Sequence, residues 1–191
     1  MKDTLVIVID AVNAPEGIKS SVPLFDNIIK FLDSPEINAV VLASYGCTKE
    51  LFIENIWNTN RKKYIPEHII QGAVVHYLKH TSGNDQTNPK LLNYTNNTVD
   101  QVALTTVSEL NFYLEKINTN ISKIVLVGAA WDKCIKLRNL GYINLGLNLS
   151  KKKQYKIFVD TRYMVDSKGQ IPCITEPDWV KITDTLYQYS L

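Results

Sequence analysis

The sequence lacks a long apolar run and a paired set of cysteines, and each absence narrows the class of protein. The apolar run LVIVI near the N-terminus ends at Asp10, which leaves it far shorter than the apolar region of a signal peptide. No run approaches the length of a membrane-spanning helix. The 3 cysteines, Cys47, Cys134 and Cys173, are odd in number and widely separated, which argues against a disulfide framework. We therefore expect a cytoplasmic protein with free thiols and no membrane partner.

A strong excess of either charge is also missing. The sequence has 21 Lys and Arg residues against 19 Asp and Glu residues, so its formal net charge is only +2. The basic runs at 61–63 and 151–153 are short and are more typical of a solvated surface than of a nucleic-acid interface. We therefore expect no nucleic-acid partner. A 45% apolar fraction is typical of a globular protein, and 191 residues suit a single domain, residues 1–191.

Strand-like and helix-like segments alternate along the chain. Strands are predicted at TLVIVID, INAVVLASY, GAVVHYL, KLLNY, KIVLVG and YKIFV. Helices are predicted at VPLFDNIIKFLD, TKELFIENIW, VALTTVSELNFYLEKI and DWVKITDTLYQY, with a further helical segment within 132–150. This alternation predicts a parallel sheet with helices on both faces. Ligands of such folds bind at the carboxyl ends of the strands, which selects residues 10–13, 44–47 and 128–134.

One cysteine lies where a buried strand is followed by a helix. Cys134 is predicted in the first turn of that helix, where unpaired N–H groups and the helix dipole stabilise an anion. This placement lowers the pKa of a thiol, and the same N–H groups can receive an oxyanion. Asp10, at the carboxyl end of the first strand, is placed to accept the thiol proton or pass it on. The alternative is that Cys134 is a packed core residue and Asp10 a turn or capping residue.

Several motifs together resemble a known family. GAAWDKCI, residues 128–135, resembles the nucleophile motif of the isochorismatase-like cysteine hydrolases, Gly-x-x-x-Asp-x-Cys followed by an aliphatic residue. VIDAVN is similar to the opening strand of that family, in which an aspartate and an asparagine stand where this chain has Asp10 and Asn13. CIKLRNLGY, with Arg138 and Gly141, resembles one branch in which the cysteine helix continues with Arg-x-x-Gly. YKIFVDTRYMVDS stands where family members have a strand that ends in an aspartate.

The resemblance implies a fold, a reaction and an assembly. The fold is a three-layer αβα sandwich with a mostly parallel sheet of about six strands. The reaction is hydrolysis of an amide or related carbon–nitrogen bond, or of a vinyl ether, with Cys134 as nucleophile and Asp10 as acid and base. Backbone N–H groups of Ala130 and Cys134 form the oxyanion hole, next to a cis peptide that precedes Ala130. A small-molecule substrate, no cofactor and a homo-oligomer, either a dimer or a tetramer, are also implied.

Three further residues are expected around the substrate. Asn13 belongs to the opening motif, and Cys47 follows the second strand at the same edge of the sheet, where a buried structural thiol is its alternative role. Trp131 lies beside the nucleophile. Its indole either stacks on a planar substrate or closes the floor of the pocket.

The lysine of the family's Asp–Lys–Cys triad has no counterpart at its expected position. That position falls near residues 95–100, and the segment TNNTVD contains no lysine. Lys90 lies upstream and Lys79 farther away. Without this charge, a catalytically inactive homologue that binds a small molecule or a partner is the first alternative. Some family members hold a metal through Asp-x-His, a pattern that is absent from this sequence, so we expect no metal ligand among the 3 histidines.

A nuclease is the second alternative. IVIDAVN also resembles the opening strand of PIN-like and NYN nucleases, which gather acidic side chains around a divalent metal ion. Asp10, Asp100 and Asp132 would then be metal ligands. The Asp-x-Asp expected after the fourth strand is missing, and the near-neutral charge predicts no face that binds a phosphate backbone. The cysteine hydrolase is therefore the expected function.

Overall fold

The structure of the protein is a computed structural model that describes most of the predicted sheet. The described residues are 3–10, 23–43, 61–66, 68–69, 99–117, 120–149 and 155–190. They form an α/β fold around one seven-stranded sheet. The predicted strands GAVVHYL and KLLNY, the predicted helix TKELFIENIW, and the pocket residues Asn13 and Cys47 lie outside the described residues.

The sheet is mostly parallel. Its strands are β1 (Thr4–Ile9), β2 (Ile37–Ala43), β3 (Asp100–Ala103), β4 (Lys123–Ala129), β5 (Lys156–Val165), β6 (Trp179–Lys181) and β7 (Leu186–Tyr189). Their order is β3-β2-β1-β4-β5-β7-β6. The first five pair in parallel, whereas β7 and β6 are added antiparallel at the β5 side. The prediction of a mostly parallel α/β fold is confirmed, with more strands than the resemblance implies.

The described residues contain four α-helices and one π-helical segment. They are α1 (Leu24–Leu32), α2 (Arg61–Tyr64), α3 (Val107–Lys116), a π-helical segment (Trp131–Ile135) and α4 (Tyr142–Leu149). Helix α3 begins after a capping box, because the Glu109 N–H donates to the Thr106 hydroxyl at 3.3 Å and the Thr106 N–H donates to the Glu109 carboxylate at 3.1 Å. This cap stops the helix from extending back towards β3.

Both faces of the central strands are buried. Successive side chains of a strand point to opposite faces, so Leu5, Ile7 and Ile9 join one hydrophobic cluster and Val6 and Val8 join a second. Buried side chains of α3 and α4 belong to the first cluster, and those of α1 belong to the second. Each large apolar side chain that is fully buried contributes about 1.5–3 kcal/mol. The buried side chains on both faces therefore fix the position of the carboxyl ends of the central strands.

Two element predictions are wrong. The helix predicted from Val102 begins only at Val107, because Val102 and Ala103 pair with β2 as part of β3. The last predicted helix, DWVKITDTLYQY, is instead the antiparallel pair β6 and β7. This segment is rich in β-branched and aromatic residues, which favour strands. Its Trp179 and Tyr189 lie opposite each other and pack together on the first cluster, with ring centroids 5.1 Å apart.

Candidate active site at the carboxyl edge of the sheet

Asp10 lies at the carboxyl edge of the sheet. It follows β1, whose last residue, Ile9, is in register with Ala43 of β2 and Gly128 of β4. The Asp10 N–H donates to the Ala43 carbonyl oxygen at 3.4 Å, which continues the strand pairing by one residue. Asp10 has φ 46°, a left-handed conformation that is uncommon for residues other than glycine. The chain therefore turns out of the sheet at this carboxylate.

Gly128 allows β4 to approach the end of β1 closely. Its φ is 115°, and a Cβ atom at this position would lie 2.1 Å from the Ile9 carbonyl oxygen. No side chain fits in that gap, and only glycine adopts this backbone conformation readily. The glycine of GAAWDKCI therefore brings the beginning of the cysteine motif against the strand that carries Asp10.

Cys134 lies in the π-helical segment Trp131–Ile135, called the cysteine turn below. Ala130 precedes the turn in an extended conformation (φ −103°, ψ 144°), and its carbonyl oxygen accepts the π-type hydrogen bond from the Ile135 N–H at 3.0 Å. The Ala129–Ala130 peptide bond is cis, as the resemblance implies. Helical geometry continues to Leu137, so the helix predicted after β4 is present and only its first turn is π-helical.

The structure brings the Cys134 thiol and the Asp10 carboxylate together. The half-buried thiol lies close enough to Asp10 for the carboxylate to act on its ionisation. Burial raises the pKa of Cys134 to about 11, and the negative charge of Asp10 and its hydrogen bond to the thiol act in the same direction. The positive charge of Arg138 and a hydrogen bond from the Ala130 backbone lower the pKa of the thiol, but these effects are smaller.

The predicted lowering of the Cys134 pKa is therefore wrong. A helix N-terminus favours a thiolate, but the dipole effect is modest, whereas burial beside a carboxylate disfavours a second negative charge strongly. At neutral pH the sulfur is protonated, and its proton is directed to Asp10. Any nucleophilic thiolate at this site must therefore form by proton transfer during the reaction.

Arg138 completes a three-residue cluster with Asp10 and Cys134. Its Nε and Nη2 atoms each donate to Asp10 Oδ2 at 3.3 Å. The Asp10 side chain is 12% exposed and the Arg138 side chain 36% exposed, so water screens this ion pair only in part. The Arg138 N–H donates to the Cys134 carbonyl oxygen at 3.1 Å, so the two residues lie one helical turn apart, on the same face.

Sequence reasoning identified Arg138 only as part of a motif and missed its contact with Asp10. The four-residue spacing from Cys134 to Arg138 was the available signal, because that spacing places two side chains on one helix face. Asp10 is 128 positions away from Arg138, and only the pairing of β1 with β4 brings them together. Lys79 and Lys90 lie outside the described residues, within which Arg138 is the cation found at Asp10.

Trp131 belongs to an aromatic cluster in the core. The indole is only 4% exposed. It stacks on Tyr142, with ring centroids 5.4 Å apart and 17° between the planes, and meets Trp179 edge-on at 5.5 Å. Because the indole is buried among other aromatic rings, it offers no open surface on which a planar substrate could stack. Ala130 is also buried, so its contribution to a site comes from its backbone.

The three carboxylates of the nuclease alternative do not converge. Asp100 begins β3 and is in register with Ala39, whereas Asp10 follows the residue paired with Ala43, so the two carboxylates lie at opposite edges of the sheet, about 13 Å or more apart along the strands. The Asp132 carboxylate accepts hydrogen bonds from the Ser167 N–H at 2.8 Å and the Ser167 hydroxyl at 2.6 Å. In the part of the chain that the structure describes, no three His, Cys, Asp or Glu side chains are grouped to hold a metal ion.

Comparisons of the chain with protein-family models, with curated proteins and with solved structures find no match. Among the described residues, no helix is long and apolar enough to cross a membrane. The family therefore stays a resemblance of motifs.

Proposed function

We propose that this protein is a cysteine hydrolase of isochorismatase-like, three-layer αβα architecture. It acts on an amide or related carbon–nitrogen bond of a small molecule, with Cys134 as nucleophile and Asp10 as acid and base. The observation that carries the proposal is that Cys134, Asp10 and Arg138 meet at the carboxyl edge of a parallel sheet. Strands β1 and β4 end in register there, and Arg138, one helical turn after Cys134, donates to Asp10 at 3.3 Å. Sites of open α/β sheets lie at this edge, and a nucleophile in contact with a base is the arrangement that covalent catalysis needs.

The geometry supports a two-step reaction through a thioester. As the sulfur attacks the carbonyl carbon, Asp10 takes the thiol proton, and the carbonyl oxygen becomes an oxyanion near the backbone N–H groups of Ala130 and Cys134. The carbon–nitrogen bond then breaks, and Asp10 gives its proton to the departing amine. In the second step Asp10 takes a proton from water, the hydroxide attacks the thioester, and the thiolate leaves and recovers the proton. The products are an amine and a carboxylic acid.

The high pKa of Cys134 suits general-base catalysis. A thiol whose pKa is about 11 holds its proton at neutral pH, so its reactivity depends on the base that accepts the proton. The 12% exposure of the Asp10 side chain keeps that base largely out of water.

The same high pKa supports the inactive homologue as a second candidate. A thiol that stays protonated and bound to Asp10 can serve as part of a binding surface without forming a thiolate. In that case ligands bind to the wild-type protein but are recovered unchanged. No geometry in the described residues favours the nuclease.

The test is hydrolysis of a panel of small aliphatic and aromatic amides. We expect release of amine by the wild type and a covalent acyl adduct on Cys134, detected by mass spectrometry of the intact protein after rapid acid quench. Cys134→Ala and Asp10→Asn should each abolish both signals, because each removes one half of the pair. Cys173→Ala is the matched control, since this cysteine is exposed and lies elsewhere in the sequence.

Three results would contradict the proposal. Amine release that survives in Cys134→Ala shows that another group is the nucleophile. Amine release that vanishes with a chelator points to metal chemistry instead. Saturable binding of an amide by the wild type, without hydrolysis or an adduct, identifies the inactive homologue.

A further inference from the structure

We infer that Arg138 is the positioning residue that holds Asp10 towards the Cys134 thiol. Its positive charge stabilises the negative charge that moves from Asp10 to Cys134 when the thiol proton is transferred. This inference rests on the proposed function and extends it to a third residue. The observation that carries it is the pair of hydrogen bonds, each 3.3 Å long, from the Arg138 guanidinium to Asp10 Oδ2.

The backbone of Arg138 is held in place directly after the helical residues 131–137. Its N–H donates to the Cys134 carbonyl oxygen at 3.1 Å, and its own carbonyl oxygen accepts from the Gly141 N–H at 2.7 Å and from the Asn144 side chain at 2.9 Å. A Cβ atom on Gly141 would lie 2.9 Å from that carbonyl oxygen, so only glycine allows the chain to fold back this closely. The guanidinium is therefore presented to Asp10 from a fixed support.

The chemistry of the guanidinium limits what Arg138 can do. Arginine stays protonated at every pH at which the protein is folded, so Arg138 cannot donate or accept the reacting proton. Its positive charge lies near both the donor and the acceptor of the proton, because Arg138 forms an ion pair with Asp10 and also lowers the pKa of the Cys134 thiol. When the proton moves from sulfur to carboxylate, negative charge moves from Asp10 to Cys134, and Arg138 is close to that charge before and after the step.

The competing explanation is that the ion pair only stabilises the packing of the helical residues 131–137 against the end of β1. An ion pair at a partly exposed position contributes little to stability, so such a role would change folding slightly and leave the ionisation of the thiol alone. The ionisation of Cys134 therefore separates the two explanations, and it can be measured without a substrate.

The experiment measures the rate at which iodoacetamide alkylates Cys134 between neutral and alkaline pH, by mass spectrometry of the Cys134 peptide. Arg138→Gln should move the profile to higher pH and, at any one pH below the midpoint, slow alkylation by about threefold or more, because reactivity follows the thiolate fraction. Arg138→Lys should recover most of the rate, since it restores the charge. Lys133→Gln is the matched control, because it removes the same charge from an exposed position in the same turn and should leave the profile unchanged.

Three outcomes overturn the inference. The first is an Arg138→Gln profile that overlays the wild type. The second is faster alkylation with an unchanged midpoint, which indicates only a looser turn. The third is an Arg138→Lys profile that matches Arg138→Gln.

A double-mutant cycle adds a check on Asp10. If Arg138 acts partly by holding Asp10, then the effect of Arg138→Gln on the profile should differ between the wild-type and Asp10→Asn backgrounds, and strictly additive effects overturn the positioning role. The proposed function can fail separately. If no amide is hydrolysed but the profile depends on Arg138, only the hydrolase proposal fails. If hydrolysis requires Asp10 and Cys134 but Arg138→Gln keeps the wild-type turnover and pH profile, only the role of Arg138 fails.

Discussion

Two aspartates at opposite edges of the same sheet are held in different ways. Asp10, at the carboxyl edge, has a left-handed backbone and contacts a thiol and a guanidinium. Asp100, at the amino end of β3, has its two carboxylate oxygens bound by the hydroxyls of Tyr64 and Tyr113, each at 2.8 Å. Unusual backbone conformations and titratable neighbours are typical of functional sites, whereas neutral hydroxyl donors satisfy a carboxylate without exchanging its proton at neutral pH.

The cluster of Asp100, Tyr64 and Tyr113 stabilises the fold through buried hydrogen bonds and ring packing. Tyr113 is fully buried, and its ring meets the Tyr64 ring edge-on with centroids 5.0 Å apart and 89° between the planes. Burial raises the pKa of the Tyr113 hydroxyl, and the nearby charge of Asp100 raises it further, so this donor stays protonated. Under the proposed function, the chemistry belongs to the carboxyl edge and structural support to the amino edge.

Gly128→Ala should have the largest effect, because it breaks the carboxyl edge. The added Cβ would lie 2.1 Å from the Ile9 carbonyl oxygen, and alanine strongly disfavours φ 115°. Steric overlap and backbone strain together should cost about 3 kcal/mol or more, measured as the free energy of unfolding in urea. Gly169→Ala is the comparison, because Gly169 also has positive φ (77°) but lies in the turn after β5. A smaller loss in Gly128→Ala than in Gly169→Ala would contradict the close approach of β1 and β4.

Tyr113→Phe should have the next largest effect, because it weakens the amino edge. Loss of a buried hydroxyl donor leaves one Asp100 oxygen with less hydrogen bonding and should cost about 1–3 kcal/mol in the free energy of unfolding. Alkylation and hydrolysis by Cys134 should be unchanged in the folded variant. The control is Tyr163→Phe, whose ring stacks on Phe31 against the other face of the sheet. A changed pH profile for Cys134 in Tyr113→Phe would show that the two edges are coupled.

The Cys134 thiol should make stability depend on pH in the alkaline range. Burial, together with Asp10, raises the pKa of Cys134 from an ordinary 9.0 to about 11. The folded state therefore favours the protonated thiol, and this contribution is fully present below about pH 9 and is lost as the pH rises through 11. The difference in the free energy of unfolding between the wild type and Cys134→Ser should decline across that window. A constant difference from pH 8 to pH 11 would disprove the raised pKa.

Arg138→Gln should have the smallest effect on stability. Because the Arg138 side chain is 36% exposed, we expect a loss of less than about 1 kcal/mol in the free energy of unfolding. The same variant should change the reactivity of Cys134 clearly, whereas Tyr113→Phe should show the reverse pattern. If both variants changed both quantities, the division between the edges would be wrong.

The contrast between the two edges also separates what was predictable from what was not. The placement of Asp10 and Cys134 at one edge follows from apolar runs that end at known positions, because parallel strands align their carboxyl ends. The position of Asp100 at the start of a strand was not predicted. The amphipathic pattern favoured a helix there, and only pairing with β2 shows that these residues form β3.

What the sequence by itself determined is local: the buried central strands, and a cysteine that follows β4 shortly after a glycine. These depend on periodicity and on neighbours a few residues apart. The tertiary structure alone decided the ion pair between Arg138 and Asp10, the direction of the Cys134 pKa shift, and the strand pairing of the C-terminal segment. The physical reason is that charge interactions and desolvation depend on distance and burial in space, and these are set by strand pairings between residues more than a hundred positions apart.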